Sequence, residues 1–243
     1  MKIWVYSICW NEKTLLPFYL RHYSSFADKI VVYDHHSDDG SRLILSSHSK
    51  VEMRNYDAPG IHEPSINAIY NNCYKEAVGK ADWVILCDID EFIYDPDILA
   101  VLQEYKDSGI NVPRTVGYTM LHDSLPMYDG KQIYHSYKLG VEDYVFNKFA
   151  VINPRVEMIY DPGRHSAKFN SEPIYSSPRI KLLHYRYWGM DWLLERNKSH
   201  CARLSQQNID SGWGYHIMPD KDNGAYYTPK WFAEQVKVRR EVV

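Results

Sequence analysis

Two carboxylates separated by one residue, Asp88 and Asp90, stand where the apolar run Trp83-Val84-Ile85-Leu86-Cys87 turns polar, and a third acid, Glu91, follows directly. On an extended chain, residues two apart face the same way, so this pair is spaced to close on one cation. A divalent ion held by only one or two carboxylates keeps positions open for phosphate oxygens, which is how hard cations meet nucleotides. The plain alternative is that the two acids end a strand and cap the next turn. The segments that must lie beside them weigh against it.

The first of these, Lys2 to Glu12, is an apolar, β-rich run that ends in Trp10-Asn11-Glu12, and Leu15 to Phe26 follows at roughly helical spacing. A second run, Lys29-Ile30-Val31-Val32-Tyr33, ends in Asp34 and a turn-forming loop, His35-His36-Ser37-Asp38-Asp39-Gly40-Ser41. Helical patterns are expected for Pro64 to Val78 and from Asp95-Pro96 through Lys106, with short β-like runs at Thr115 to Leu121, Tyr144 to Ile152, Val156 to Tyr160 and Arg179 to Tyr187. Strands alternating with helices predict an α/β fold. In open α/β sheets ligands sit outside the carboxyl ends of strands, which would let Asn11, Glu12, Asp34, Asp38, Asp88 and Asp90 line one crevice.

With these segments in order, the chain resembles the family 2-like glycosyltransferases, in particular the branch whose core is written here Asp88-Ile89-Asp90-Glu91-Phe92. The resemblance extends to Cys9-Trp10-Asn11-Glu12, to Val31 through Ser41, and to the pair Gly163-Arg164-His165-Ser166 and Leu183-His184-Tyr185-Arg186, covering roughly residues 1 to 200. It implies a GT-A-type, Rossmann-like mixed sheet flanked by helices, a nucleotide-sugar donor with a UDP-sugar favoured, and Mn2+ or Mg2+ bridging Asp90 to the diphosphate. By the same resemblance Asn11 and Glu12 face the nucleotide, Asp34 contacts base or ribose, and Asp88 lies near ribose or metal-bound water. His184 matches the place of a third metal ligand from the C-terminal region, with His165 as its rival; imidazole beside two carboxylates suits manganese. Lys148 falls in a segment resembling the family's lysine-bearing strand.

Transfer also makes demands that the residues can be read against. A departing nucleoside diphosphate gathers negative charge, and Lys148, Arg164 and Arg186 are the cations placed to meet it. Inversion at the anomeric carbon needs a base for the acceptor hydroxyl. Glu142 and Asp143, just before the expected Tyr144 strand, are first in line, with Asp123, Asp161 and Asp191 behind them. The chain has 21 tyrosines, including Tyr118, Tyr128, Tyr144, Tyr215, Tyr226 and Tyr227, whose rings suit sugar faces but more often pack half-buried.

Length and composition agree with one enzyme domain: 243 residues, 45% hydrophobic, divide into a nucleotide-sugar-binding half, 1–110, and a smaller acceptor-side β/α extension, 111–243. A formal charge of −3 without a long basic block argues against nucleic acid. The four cysteines form no Cys-x-x-Cys pair and read as free thiols of a reducing, cytoplasmic setting. No apolar run is long enough to span a bilayer, although Trp231 to Arg240 combines aromatics and cations in a way that suits peripheral contact with a membrane carrying a lipid-linked glycan. Asp191 to Ser205 is read as a helix, followed by a loop holding Gly212, Gly214 and Gly224 that suits a lid. Two other classes remain in view. A nucleotidyltransferase acting on sugar phosphates commonly opens with a glycine-rich phosphate loop, and Cys9-Trp10-Asn11-Glu12-Lys13 has no glycine. A non-catalytic carbohydrate-binding module would share the aromatics but would have no use for the acids.

Overall fold

The computed structural model of the chain describes residues 1–219 and 227–243; Gly224 and Tyr226 lie outside the described residues, as does the side chain of Tyr227. The first 94 residues run β1 (Ile3–Cys9), α1 (Leu16–Ser24), β2 (Lys29–Asp34), α2 (Ser41–Ser46), β3 (Val51–Asn55), α3 (Glu63–Cys73), β4 (Trp83–Leu86) and β5 (Glu91–Tyr94). Next come α4 (Ile98–Asp107), β6 (Thr115–His122), α5 (Ile133–Ser136), β7 (Leu139–Glu142), β8 (Val151–Ile152), β9 (Met158–Tyr160) and β10 (Ala167–Phe169). The chain closes with β11 (Ile180–Trp188), α6 (Met190–Cys201), α7 (Gln206–Asp210), α8 (Tyr227–Gln235) and β12 (Arg240–Glu241).

These strands form an α/β architecture built on two mixed sheets. The first has the order β3-β2-β1-β4-β8, parallel except for β8, and the second has the order β12-β7-β6-β11-β5, antiparallel except for the β6 and β11 pair. Near-continuous burial of β1, β2 and β4 is what a parallel sheet covered on both faces demands. The sheets do not divide at residue 110. β5 joins the second sheet through β11, and β8 returns to the first through β4. One apolar core, containing Ile3, Val32, Ile85, Phe92, Leu182 and Tyr185 among others, runs through both.

That exchange places the acidic motif where the chain leaves one sheet for the other. Asp88-Ile89-Asp90 is therefore a turn, closed by the Glu91 N–H on the Asp88 carbonyl at 3.1 Å, and not the extended segment on which the two-residue alternation was argued. The buried Ile89 side chain anchors it. The expected Tyr144 to Ile152 strand is also corrected. Tyr144–Phe146 is a single 3-10 turn, and only Val151–Ile152 pairs, because Asp143 caps that turn on the Val145 N–H and Asn147 Oδ1 accepts from the Gly117 N–H at 2.7 Å. Trp231 and Phe232, in the stretch where the sequence allows either membrane contact or an ordinary terminal helix packed on the domain, pack inward on Tyr187 with ring centroids 5.2 and 6.1 Å away. No helix among the described residues is long and apolar enough to cross a membrane.

Gly117 is where β6 accepts that turn. A Cβ there would lie 2.4 Å from the Phe146 carbonyl carbon and 2.6 Å from the Asp143 oxygen, both backbone atoms. Gly117→Ala is expected to lower stability by about 1–3 kcal/mol through overpacking, read as a reduced urea midpoint at unchanged slope. A change below about 0.5 kcal/mol would mean the turn is not clamped as described.

Candidate active site

The carboxyl ends of β1 and β4 open into a cavity of about 780 Å³ whose walls include Glu12, Asp88, Asp90, Lys148, Arg186 and Arg196. Not every acid expected there reaches it. Asn11, which takes a left-handed backbone at φ 53°, donates from Nδ2 to Asp38 Oδ1 at 2.8 Å, and the Asp38 N–H returns a bond to Asn11 Oδ1 at 3.0 Å. Asp34 is buried and accepts from the Ser37 N–H at 3.1 Å and from Arg42 at 2.5 Å. Asn11 and Asp38 tie the loop after β1 to the loop after β2, Asp34 fastens the loop after β2 to itself and to α2, and none of the three lines the cavity. Trp10, His35 and Tyr56 take their place on the wall.

The acidic turn has two supports. Glu91, at the start of β5, accepts the Asp88 N–H at 3.1 Å and is ion-paired with Lys148, both partners being buried. Burial works to raise the Glu91 carboxyl, but Lys148, His184 and Arg164 outweigh it and hold the group below its usual range. Asp88 accepts from the Tyr70 hydroxyl at 2.8 Å and is ion-paired with Arg164, whose guanidinium lies 4.3 Å from the Tyr70 ring centre. Lys148 and Arg164, expected to meet departing phosphate, are thus committed to bracing the acids.

β11 and α6 supply the opposite wall. Antiparallel pairing sets His184 against Glu91, and the Tyr185 N–H donates to the Asp90 carbonyl at 2.7 Å, which brings His184 Nε2 to 3.5 Å from Asp90 Oδ2. The His184 ring stacks on Phe146 with centroids 4.0 Å apart, and its Nδ1 is buried without a partner. A β-bulge follows between His184 and Tyr187, the device by which sheets re-aim side chains beside active sites. It carries Arg186 into the cavity, where Nε and Nη2 are buried with no hydrogen-bond partner among the described residues. His165 also lines the cavity, but its Nδ1 is engaged by the Val145 carbonyl at 2.7 Å, so His184 is the histidine that stands at Asp90.

Arg196 of α6 spans Glu12 at 2.5 Å and Asp90 at 3.8 Å. Two buried acids sharing one guanidinium separate in acidity, as close carboxylates do. For Glu12, burial raises the pKa most, Arg196 pulls it down, and the charge on Asp90 pushes it up again, leaving it at about 7. For Asp90, burial is outweighed by His184, Arg196 and Arg186, and the group stays ionised far below its usual range. His216 is pushed down to about 4 by burial and by neighbouring Arg186, His165 and His184. Arg196, His200 and Arg203 were missed in the sequence. Their signal is a polar stripe, Trp192, Arg196, His200 and Arg203, at helical spacing beside the apolar face that was read.

Among the described residues no three His, Cys, Asp or Glu side chains converge to hold a metal by themselves. The donor set nevertheless fits a divalent ion that draws its other ligands from a phosphate. Among the described residues Asp90 is ionised with no Lys or Arg nitrogen nearer than 3.8 Å, and His184 Nε2 stands 3.5 Å from it. Asp88, in contrast, is engaged by Arg164 and Tyr70. At the mouth, the Glu142 side chain carries no hydrogen bond or ion pair among the described residues, whereas Asp143 accepts from Thr119 Oγ1 at 2.9 Å and caps the Val145 N–H at 3.1 Å. A clasp closes the far side. The Ile61 N–H donates to the Arg203 carbonyl at 2.6 Å, and a Cβ on Gly60 would lie 2.0 Å from that oxygen.

No family model and no curated protein matches the chain. Solved structures align with it at low similarity. The crystal structure of S. aureus TarS is 11% identical with a TM-score of 0.40 over 86% of this chain and 42% of that one, so this chain spans less than half its length. TarS 1-349 in complex with UDP-GlcNAc is 12% identical with a TM-score of 0.40, over 86% and 70% of the two chains. Glucosyl-3-phosphoglycerate synthase from Mycobacterium tuberculosis, in complex with Mn2+, UDP and phosphoglyceric acid, is 17% identical with a TM-score of 0.35, over 48% and 43%.

The brace beneath the acidic turn is open to test. Glu91→Gln leaves Lys148 buried without its counter-charge and is expected to lower stability by about 3–5 kcal/mol, while Glu91→Gln combined with Lys148→Met recovers most of that loss. Chemical denaturation of the three proteins reads the difference; equal stability of wild type and the single variant would remove the brace.

Proposed function

We propose that the chain is a metal-dependent glycosyltransferase of GT-A type, moving a sugar from a nucleoside diphosphate donor to a hydroxyl of a glycan or glycolipid with inversion. The observation that carries this reading is the pairing, within one cavity, of the ionised Asp90 with the unpartnered, buried N–H groups of Arg186. A buried guanidinium left without acceptors calls for an anion, and a carboxylate left with only distant cations calls for a metal. A diphosphate carrying its divalent ion satisfies both at once.

In this reading Asp90 and His184 would hold a divalent ion, which when bound would supply charge neutralisation for the diphosphate. Arg186 donates to the phosphate oxygens, and its position at the bulge lets it follow the charge that grows there. The acceptor oxygen attacks the anomeric carbon as the bond from that carbon to the diphosphate oxygen breaks, its electron pair departing with the diphosphate. The acceptor proton passes to Glu142, the carboxylate at the mouth that no other residue engages, and Asp143 is reassigned to holding the neighbouring turn. Glu12 and Arg196 keep Asp90 in place from the β1 side.

Calorimetry and thermal denaturation with UDP, GDP and TDP, each with and without Mn2+, test the reading on wild type, Asp90→Ala and Arg186→Ala. UDP is the nucleotide expected to bind. At about 100 times its dissociation constant it adds about 2.7 kcal/mol, a rise of roughly 5–10 °C in midpoint for a chain of this size. Asp90→Ala is expected to remove the manganese dependence and Arg186→Ala to weaken binding with or without metal. Absence of nucleotide binding in every combination sinks the transferase.

A further inference from the structure

A transferase must also hold the molecule that receives the sugar, and the 3-10 turn at the cavity mouth has features that the donor side does not use. Tyr144 lines the cavity yet is 82% exposed, and among the described residues its ring touches no other ring and its hydroxyl bonds to nothing. A single exposed aromatic is ordinary on a protein surface. What separates Tyr144 from the others is the rigidity of its support and its neighbours. The turn is fixed by the Asp143 cap, by the Asp143 N–H on the Gly117 carbonyl at 2.9 Å, by the Asn147 N–H on the Tyr144 carbonyl at 3.1 Å, and by the lack of room at Gly117. Two of its other members contribute inward contacts. The Val145 carbonyl accepts from His165, and Phe146 buttresses His184. Tyr144 alone on this turn is turned outward with a whole ring, next to the free carboxylate of Glu142. Tyr215, 65% exposed, stands on the same cavity wall.

Resting on the transferase reading, we infer that Tyr144 is an acceptor subsite that stacks a neutral pyranose ring and presents one of its hydroxyls to Glu142. A rigid aromatic face with open solvent over it matches the C–H-bearing face of a pyranoside, and holding the ring on a pinned turn limits the ordering entropy lost on binding. Charge selects the kind of sugar. Glu142 and Asp143 are the ionisable groups of this turn, neither is ion-paired among the described residues, and an acceptor bearing carboxylate or phosphate at this point would meet them at close range. The subsite therefore takes neutral glycans and disfavours acidic ones.

Saturation-transfer NMR titrations with maltotetraose, cellotetraose, chitotetraose and tetragalacturonate, on wild type, Tyr144→Ala and Tyr144→Phe, test the subsite directly without requiring turnover. At least one neutral tetrasaccharide is expected to bind wild type, about tenfold more weakly to Tyr144→Ala, and within about twofold of wild type to Tyr144→Phe, since the phenyl face remains. Binding of no neutral saccharide, equal binding to all three proteins, an equal loss in Tyr144→Phe, or preference for tetragalacturonate would each overturn it. UDP and Mn2+ affinity, measured on the same samples, is expected to be unchanged in both variants. Its absence in wild type would count against the transferase reading, while the saccharide data would still judge Tyr144.

Discussion

A buried carboxylate that stays ionised costs several kcal/mol unless a counter-charge stands close by, and this fold gathers Glu12, Asp88, Asp90 and Glu91 into one crevice. The basic side chains set against these acids all come from later in the chain: Lys148 at Glu91, Arg164 at Asp88, the His184 imidazole at Asp90, and Arg196 at Glu12 and Asp90. That requirement explains why β5 leaves the first sheet to pair with β11, and why α6 crosses back to the end of β1. Among the described residues Arg186 keeps two buried donors, Nε and Nη2, without acceptors and makes no ion pair, and for that reason it carries more information about a ligand than any of the acids.

Much of this frame was legible before any coordinates. β1, β2, α3, β6 and β11 lie close to where periodicity put them, because long apolar runs bounded by turn residues leave little choice. The acidic motif follows β4, but its local geometry differs from the one read in the sequence. Alternation in an extended strand was assumed, whereas a change of sheet forces a turn, and a change of sheet is a property of the second half of the chain. Asn11, Asp34 and Asp38 have the residue types of a ligand site and the geometry of a loop fastening. For Asn11 and Asp38 it is a contact 27 residues away in sequence, the one they make with each other, that separates those two uses. Arg196 and His200 were hidden for a different reason, since a polar stripe on a helix reads as a solvated face until something acidic is packed against it.

The segment 143–147 shows how one short turn can serve several purposes. Asp143 is consumed as a cap, which leaves Glu142 as the carboxylate free to act; Phe146 fixes the ring of His184; and Asn147 fastens the whole to Gly117. A strand in its place, as the β-rich composition suggested, would alternate these side chains between faces and could not present them together.

The distances along the chain between acids and their cations bear on how the molecule is made. Glu91 and Lys148 are 57 residues apart, Asp88 and Arg164 are 76 apart, and Glu12 and Arg196 are 184 apart. During synthesis the parallel sheet can collapse early from near-neighbour strands, but it then carries an uncompensated nest of negative charge at its open edge until β11 and α6 emerge. The crevice is thus among the last parts of the molecule to become habitable. A nascent chain has a reason to keep that edge wet and loose, with the final α6 contact acting as the latch that turns a folded scaffold into a finished site.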